Sequence, residues 1–91
     1  MKKKIEYQVS FDVESEIEFL ELIDETTAMF SIYRSFPEGI FDGEDDEVQA
    51  IWEGDEVIIE GYGTEPNEQE VEVITQMMKE LQEKGAFMKE D

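Results

Sequence analysis

The chain has 91 residues, a formal net charge of −19 and a 40 % hydrophobic share, which predict a single folded domain over residues 1–91 with residues 86–91 as a tail. It contains no cysteine and no histidine, so disulfide bonds, thiolate nucleophiles and the commonest transition-metal ligands are excluded. No apolar run follows the basic residues 2–4, so neither a signal peptide nor a membrane span is predicted, and we expect a cytoplasmic protein.

The acidic residues are concentrated in the middle of the chain. Between Ile5 and Met78 lie 22 of the 26 acidic residues but only one of the 7 basic ones, Arg34. Repulsion among these carboxylates destabilises a compact fold, so either solubility or a partner must explain them. Free nucleic acid and anionic membranes would repel the chain, whereas basic proteins would attract it.

Residues 5–13 alternate apolar and polar side chains, which predicts a half-buried first strand. The lysines at residues 2–4 are expected to protect this strand as an exposed sheet edge, with a docking role as the alternative. Ser15 and Glu18 then match a capping box, which predicts the start of a long helix.

This first helix would carry two stripes at 100° per residue. Its apolar stripe consists of Phe19, Leu22, Ile23, Thr26, Met29, Phe30 and Tyr33. Its acidic stripe consists of Glu14, Glu18, Glu21 and Glu25. Acids four residues apart would be about 6 Å apart along the axis, close to the phosphate spacing in one nucleic-acid strand. The alternative ends the helix near Glu25 and makes residues 26–36 a strand, because Thr, Phe, Ile and Tyr favour strands.

A solvated loop is predicted over residues 36–47, because its acids repel one another. Gly54-Asp55 is typical of a type II′ turn and predicts a hairpin between strands 48–53 and 56–62. The predicted apolar pairs are Trp52 with Val57, Ala50 with Ile59 and Val48 with Gly61. The predicted pairs on the other face are Glu53 with Glu56, Ile51 with Ile58 and Gln49 with Glu60.

A second helix is predicted to begin at Asn67, which forms a capping box with Glu70, and to end at Gly85. Its apolar stripe consists of Val71, Ile74, Met77, Met78 and Leu81. The predicted fold is therefore α+β, with the order β-α-β-β-α: a three-stranded, mainly antiparallel sheet with both helices packed on one face. The other face would be open, with acids around a small apolar island: Glu6, Asp12, Glu53, Glu56 and Glu60 around Ile51, Ile58 and Tyr62.

Neither catalysis nor specific metal binding is predicted. Paired carboxylates are the only enzymatic chemistry that the composition leaves open, and dense solvated acids lack the enclosed site that such catalysis needs. Asp42, Glu44, Asp46 and Glu53 match positions of a calcium-binding loop, but Glu47 stands where that loop requires glycine. We therefore expect no enzyme activity, no cofactor and no metal.

The small, acidic, cysteine-free chain resembles DNA mimics of phages and mobile elements, including anti-CRISPR proteins that block RNA-guided nucleases. The likeness rests on size, charge and the acidic runs 14–25 and 42–47. If most central acids share half of the surface, each has about 130 Å², against about 110 Å² per charge on duplex DNA. The resemblance implies action in a bacterial host cell, by competition for a Lys/Arg-lined channel such as the one that reads the protospacer-adjacent duplex.

The expected partner is thus a basic nucleic-acid-binding protein, with no direct binding of nucleic acid, membrane or small molecules. The predicted partner-binding residues are Glu14, Glu18, Glu21, Glu25, Asp42, Glu44, Asp45, Asp46, Glu47, Glu53, Asp55, Glu56, Glu60 and Tyr62. Two alternatives remain: an immunity protein that neutralises a basic nuclease toxin, and an adaptor domain whose charge serves solubility only.

Overall fold

The computed structural model describes residues 2–8, 12–36, 43–62 and 65–87. Its elements are β1 (Lys2–Gln8), β2 (Asp12–Leu22), β3 (Thr27–Ser35), β4 (Glu44–Glu53), β5 (Glu56–Tyr62) and α1 (Glu68–Glu83). The strands form one antiparallel sheet in the order β1-β2-β3-β4-β5, curled into a half-barrel, so each strand pairs with its neighbours in sequence.

The core lies between the inner face of the sheet and α1. Side chains alternate between the two faces of each strand, and the inward ones are mostly apolar. The fully or nearly buried apolar residues are Val13, Ile17, Ala28, Phe30, Ile32, Val48, Ala50, Ile74, Met77, Met78 and Leu81. Because α1 covers the inner face, we call the opposite surface of the sheet the outer face.

The predicted first helix is wrong: the chain there forms β2, a turn and β3. The apolar stripe counted at helical spacing mixes residues of two strands, such as Phe19 and Phe30, which face each other across the sheet. The alternative strand over residues 26–36 is confirmed in type, since β3 occupies Thr27–Ser35. A bulge at Leu20 and the turn after Leu22 interrupt the period-two alternation of apolar and polar residues, so the two strands are hard to recognise from the sequence.

Two strand boundaries also differ from expectation. The pattern over residues 5–13 belongs to two strands rather than one, because β1 and β2 are antiparallel and Val13 on β2 pairs with Tyr7 on β1. The predicted first strand's residues 9–11 lie outside the described part of the chain. The predicted loop over 36–47 ends early, because β4 begins at Glu44 and continues the β3 pairing. The fold is therefore a five-stranded sheet with one helix, and the three-stranded, two-helix arrangement is wrong.

The hairpin and the second helix are confirmed. Every predicted pair of β4 with β5 is present. Gly54 has a φ of +63°, whereas the φ of Asp55, the next residue of the turn, is not positive. A positive φ at the first central residue alone is typical of a type II′ turn. Asn67 and Glu70 form the capping box of α1. At its end, Gly85 with φ +80° and the bonds from Gly85 N to Gln82 O and from Ala86 N to Leu81 O form a Schellman motif.

Candidate functional site: an acidic outer face

The outer face of the sheet carries most of the acids of the strands. Their positions follow from alternation and register: each lies opposite another outward residue of the neighbouring strand. The outward acids are Glu6 on β1; Asp12, Glu14, Glu16, Glu18 and Glu21 on β2; Asp45, Glu47 and Glu53 on β4; and Glu56 and Glu60 on β5. Among the described elements, the only helix lies on the opposite side of the sheet.

The β2 part of this face is partly neutralised. Lys2 Nζ lies 3.4 Å from Glu16 and 3.3 Å from Glu18, and Lys4 Nζ lies 3.5 Å from Glu14. These pairs hold the edge strand β1 against β2, and the two neighbouring carboxylates raise the pKa of Lys2. Three of the five outward acids of β2 are therefore already engaged in ion pairs within the chain.

The β4–β5 part of the outer face keeps its full charge. Asp45, Glu47, Glu53, Glu56 and Glu60 are exposed, and none of them takes part in an ion pair among the described residues. Glu53 even lies directly opposite Glu56. Like charges opposite each other on paired strands destabilise a sheet, so this acidic cluster has an energetic cost to the fold.

A neutral seam on β3 separates the two acidic parts. Ser31 lies between Glu18 and Glu47, and Tyr33 lies between Glu16 and Asp45. Tyr33 is 44 % exposed. Beyond the seam, Ile51 is half-buried and Ile58 is 40 % exposed, opposite each other on β4 and β5. The outer face thus combines charge with a few accessible apolar and aromatic side chains, as protein interfaces do.

The predicted partner-binding residues are only partly brought together. On the outer face lie Glu14, Glu18, Glu21, Asp45, Glu47, Glu53, Glu56 and Glu60. Glu25 and Asp55 lie in exposed turns. Asp46 pairs with Ile32 on the inner face, where its buried Oδ2 accepts no hydrogen bond from the described residues. Glu44 and Tyr62 are placed by their backbones at the ends of β4 and β5, and Asp42 lies outside the described residues.

Sequence reasoning missed Glu16, which lies on the outer face between Glu14 and Glu18. Period two along residues 12–18 would have found it, since acids occupy every second position there. The helical interpretation instead put Glu16 on a different side from its neighbours.

A second polar cluster, inside the fold, has a structural geometry. The buried Glu70 carboxylate accepts hydrogen bonds from Arg34 Nη2 at 2.7 Å, Arg34 Nε at 2.9 Å, Ser15 Oγ at 2.7 Å and Tyr7 OH at 3.3 Å. It also accepts one from the Asn67 backbone N–H at 3.0 Å, which completes the capping box. The cluster therefore fastens the start of α1 to β1, β2 and β3.

Burial by itself would raise the pKa of Glu70, but the hydrogen bonds from Arg34, Ser15 and Asn67 outweigh it and hold the pKa below its ordinary value. Burial, and then the Glu70 charge, raise the pKa of Tyr7. Glu70 is thus a stable buried anion rather than a proton donor, and Ser15 is fully enclosed. This arrangement suits fold stability and does not resemble a catalytic centre.

Other functional sites find little support among the described residues. No group of three or more of their acidic side chains is arranged to hold a metal ion. The described helix is neither long nor apolar enough to cross a membrane. No protein-family model matches the chain, and neither does any curated protein or solved structure.

Proposed function

We propose that the chain is a stoichiometric inhibitor that occupies the basic nucleic-acid-binding cleft of a target protein as a DNA mimic, with RNA-guided nucleases as the target class. The observation that carries this proposal is that the outward acids of β2, β4 and β5 share one face, which the described helix leaves uncovered. A basic cleft would be drawn to that face electrostatically.

The spacing of the acids supports a mimic of the nucleic-acid backbone. Along β4, the outward acids Asp45 and Glu47 are two residues and so about 7 Å apart, close to the spacing of neighbouring phosphates, and neither is paired with a lysine among the described residues. The acids of β2 and β4 are two strands apart, which is about 10 Å. That separation matches neither groove of duplex DNA, whose widths are about 6 and 12 Å, so the likeness lies in the spacing along one strand.

The energetic cost of the face supports a role beyond solubility. A soluble surface needs only dispersed charges of both signs, and it gains stability when opposite charges face each other across strands. Glu53 and Glu56 do the reverse, although a lysine at either position would stabilise the hairpin. A partner that contributes the missing cations would explain why they persist.

The test is competition for DNA by a guide-loaded nuclease, measured as duplex binding while the chain is titrated in. We expect loss of binding at a ratio near one to one. The variant Glu47→Lys/Glu60→Lys should raise the inhibitory concentration at least about tenfold, since two central charges are reversed. The matched control is Glu68→Lys/Glu83→Lys, which changes the net charge equally but at exposed positions on α1, behind the sheet.

Equal inhibition by both double variants would overturn the outer face as the binding site. If guide-loaded nucleases keep their DNA but a basic nuclease toxin loses its activity at a ratio of one to one, the chain is an immunity protein instead. If neither is inhibited at low salt, the charge serves solubility and the proposal fails.

A further inference from the structure

β1 is an edge strand, so the backbone groups on its side away from β2 pair with no other strand among the described residues. Beside that edge, α1 leaves an open groove of about 510 Å³. Half-buried Ile5 and Val73 line it together with the exposed carboxylates of Glu6 and Glu72. Neither Glu6 nor Glu72 takes part in an ion pair among the described residues. A strand added at this edge would therefore form backbone hydrogen bonds with β1. It would also gain apolar contact and uncompensated negative charge from the groove.

We propose that the strand that fills this edge is β1 of a second copy, so that two chains form one continuous antiparallel sheet about a two-fold axis. Charge selects the register. Centring the pair on Lys4 or on Glu6 would set that residue against its own copy. Centring it on Ile5 sets each Lys4 opposite the partner's Glu6, and opposite charges facing each other across strands stabilise the pair.

The same register suits the inner side of the edge. Ile5 meets the partner's Ile5 beside Val73, which extends the apolar lining of the groove. α1 begins beside Tyr7 and runs toward Lys3, whose Nζ lies 3.4 Å from Glu80. The partner's Lys3 therefore arrives opposite Tyr7, near the start of α1, where Glu72 is available to pair with it.

The other edge of the sheet lacks this complementarity. β5 (Glu56–Tyr62) carries Glu56 and Glu60 but no lysine or arginine, so no register of self-pairing sets opposite charges together. The lysines of β1 do not leave a bare positive edge, because Lys2 and Lys4 are paired with acids of β2. They neutralise the sheet near this edge, which makes it the least repulsive place for two acidic chains to meet.

Dimerisation should respond to salt in a characteristic direction. Two chains of net charge −19 repel each other at long range, and this repulsion is screened at high ionic strength. The cross-strand ion pairs act over a short distance, so the same salt weakens them less than it weakens the long-range repulsion. Association of two chains should therefore strengthen as salt increases, whereas binding to a basic partner should weaken. Because the two responses are opposite, either proposal can fail while the other stands.

The first experiment is sedimentation equilibrium at low and at high salt. We expect a monomer–dimer equilibrium that shifts toward dimer at about 1 M NaCl, where the Debye length is about 3 Å. Lys4→Glu or Glu6→Lys alone should weaken association at least about tenfold, because each sets like charges together twice. The double swap Lys4→Glu/Glu6→Lys restores opposite charges and should recover most of the affinity.

Circular dichroism of each variant checks that the fold is kept, and the double swap guards against a folding artefact because it contains both substitutions. In the swap, position 6 gains an opposite-charge neighbour in Glu14 of the same chain, while position 4 loses one in Glu16, so the intramolecular changes act in opposite directions. A monomer at every salt concentration, or single variants that associate as well as the double swap, would overturn the proposal.

The second experiment tests the register through cross-linking. The chain has no cysteine, and the Ile5-centred register places Lys2 opposite the partner's Gln8. In Lys2→Cys/Gln8→Cys, the thiols of one chain are about 20 Å apart, too far for an internal disulfide. Opposite residues on paired strands are about 5 Å apart, within disulfide range, so mild oxidation should give a covalent dimer. Lys2→Cys alone is the control, and equal cross-linking of both variants would overturn this register.

Discussion

Glu70 is the residue at which the helix and three strands are joined, and its burial makes the fold sensitive to its charge. The carboxylate is fully buried, yet the surrounding donors keep it ionised. A buried ion pair is a weak source of net stability while intact, but it is costly to break from one side. Its contribution is therefore best seen by removing the carboxylate.

We expect Glu70→Gln to lower the free energy of unfolding by about 3 kcal/mol at pH 7, because the buried Arg34 guanidinium loses the Glu70 charge. Ser15→Ala removes a single hydrogen bond to the same carboxylate and should cost about 1 kcal/mol. Urea denaturation of both variants measures the difference. A smaller loss for Glu70→Gln than for Ser15→Ala would contradict this role.

The pH dependence of the Glu70→Gln loss provides its control. The pKa of Glu70 is lowered in the fold, so its stabilising effect is complete above the ordinary value of 4.5 and is lost as the pH falls through the lowered value. The wild-type curve alone cannot show this, because protonation of the other acids relieves repulsion over the same range. The difference between the wild-type and Glu70→Gln curves should shrink toward acid pH, and a constant difference would count against the ionised form.

At the scale of the element, the β4–β5 hairpin contains a repulsion that one substitution removes. Glu53→Lys converts an acid–acid pair with Glu56 into an ion pair, which should raise the free energy of unfolding by up to about 1 kcal/mol. Glu47→Lys is the matched control: its charge change is the same, but its cross-strand neighbours are Ser31 and Tyr62. Thermal unfolding should show a larger gain for Glu53→Lys, and equal gains would point to net charge alone.

The elements that could be predicted from the sequence are those with a local signal. Gly54 supplies the positive φ of the hairpin turn, and Asn67 and Gly85 mark the two ends of α1. β2 and β3 have no such marker, and their inward rows are interrupted by Ser15 and Arg34 at positions where apolar residues are expected. Both donate hydrogen bonds to the buried Glu70, which lies 36 residues beyond Arg34, and this long-range partner is invisible to a local pattern.

The acidic outer face was predicted in part. Glu6, Asp12, Glu53, Glu56 and Glu60 were expected on one face of the sheet and lie there, whereas the other acids of β2 were assigned to a helix. A helical period sorted Glu14, Glu18, Glu21 and Glu25 onto one stripe, whereas the strand period sorts Glu14, Glu16 and Glu18 onto the outer face. The β4–β5 acids were placed correctly relative to each other, because the hairpin register was right. To predict that the acids of β2 and those of β4 and β5 share one face, the order of the strands had to be known, because β3 lies between the two groups.

At the scale of the whole molecule, the net charge sets the sign of the salt dependence. Repulsion among the carboxylates destabilises the compact state, and added salt screens it over about 10 Å at 0.1 M and about 3 Å at 1 M. We therefore expect the urea midpoint at pH 7 to rise as NaCl is increased. Dimerisation would also add stability at high salt by mass action, so the midpoint must be independent of protein concentration in this measurement.

The same salt series near pH 4 is the control, because partial protonation of the carboxylates removes much of the repulsion that salt would screen. The rise in urea midpoint should be clearly smaller there. A midpoint that is flat or falls with salt at pH 7 would mean that favourable ion pairs, such as those of Lys2 and Lys4, outweigh the repulsion. Binding to a basic cleft must weaken over the same range of salt concentration. The acidic outer face therefore predicts that, as salt rises, the chain becomes more stable but inhibits its target less.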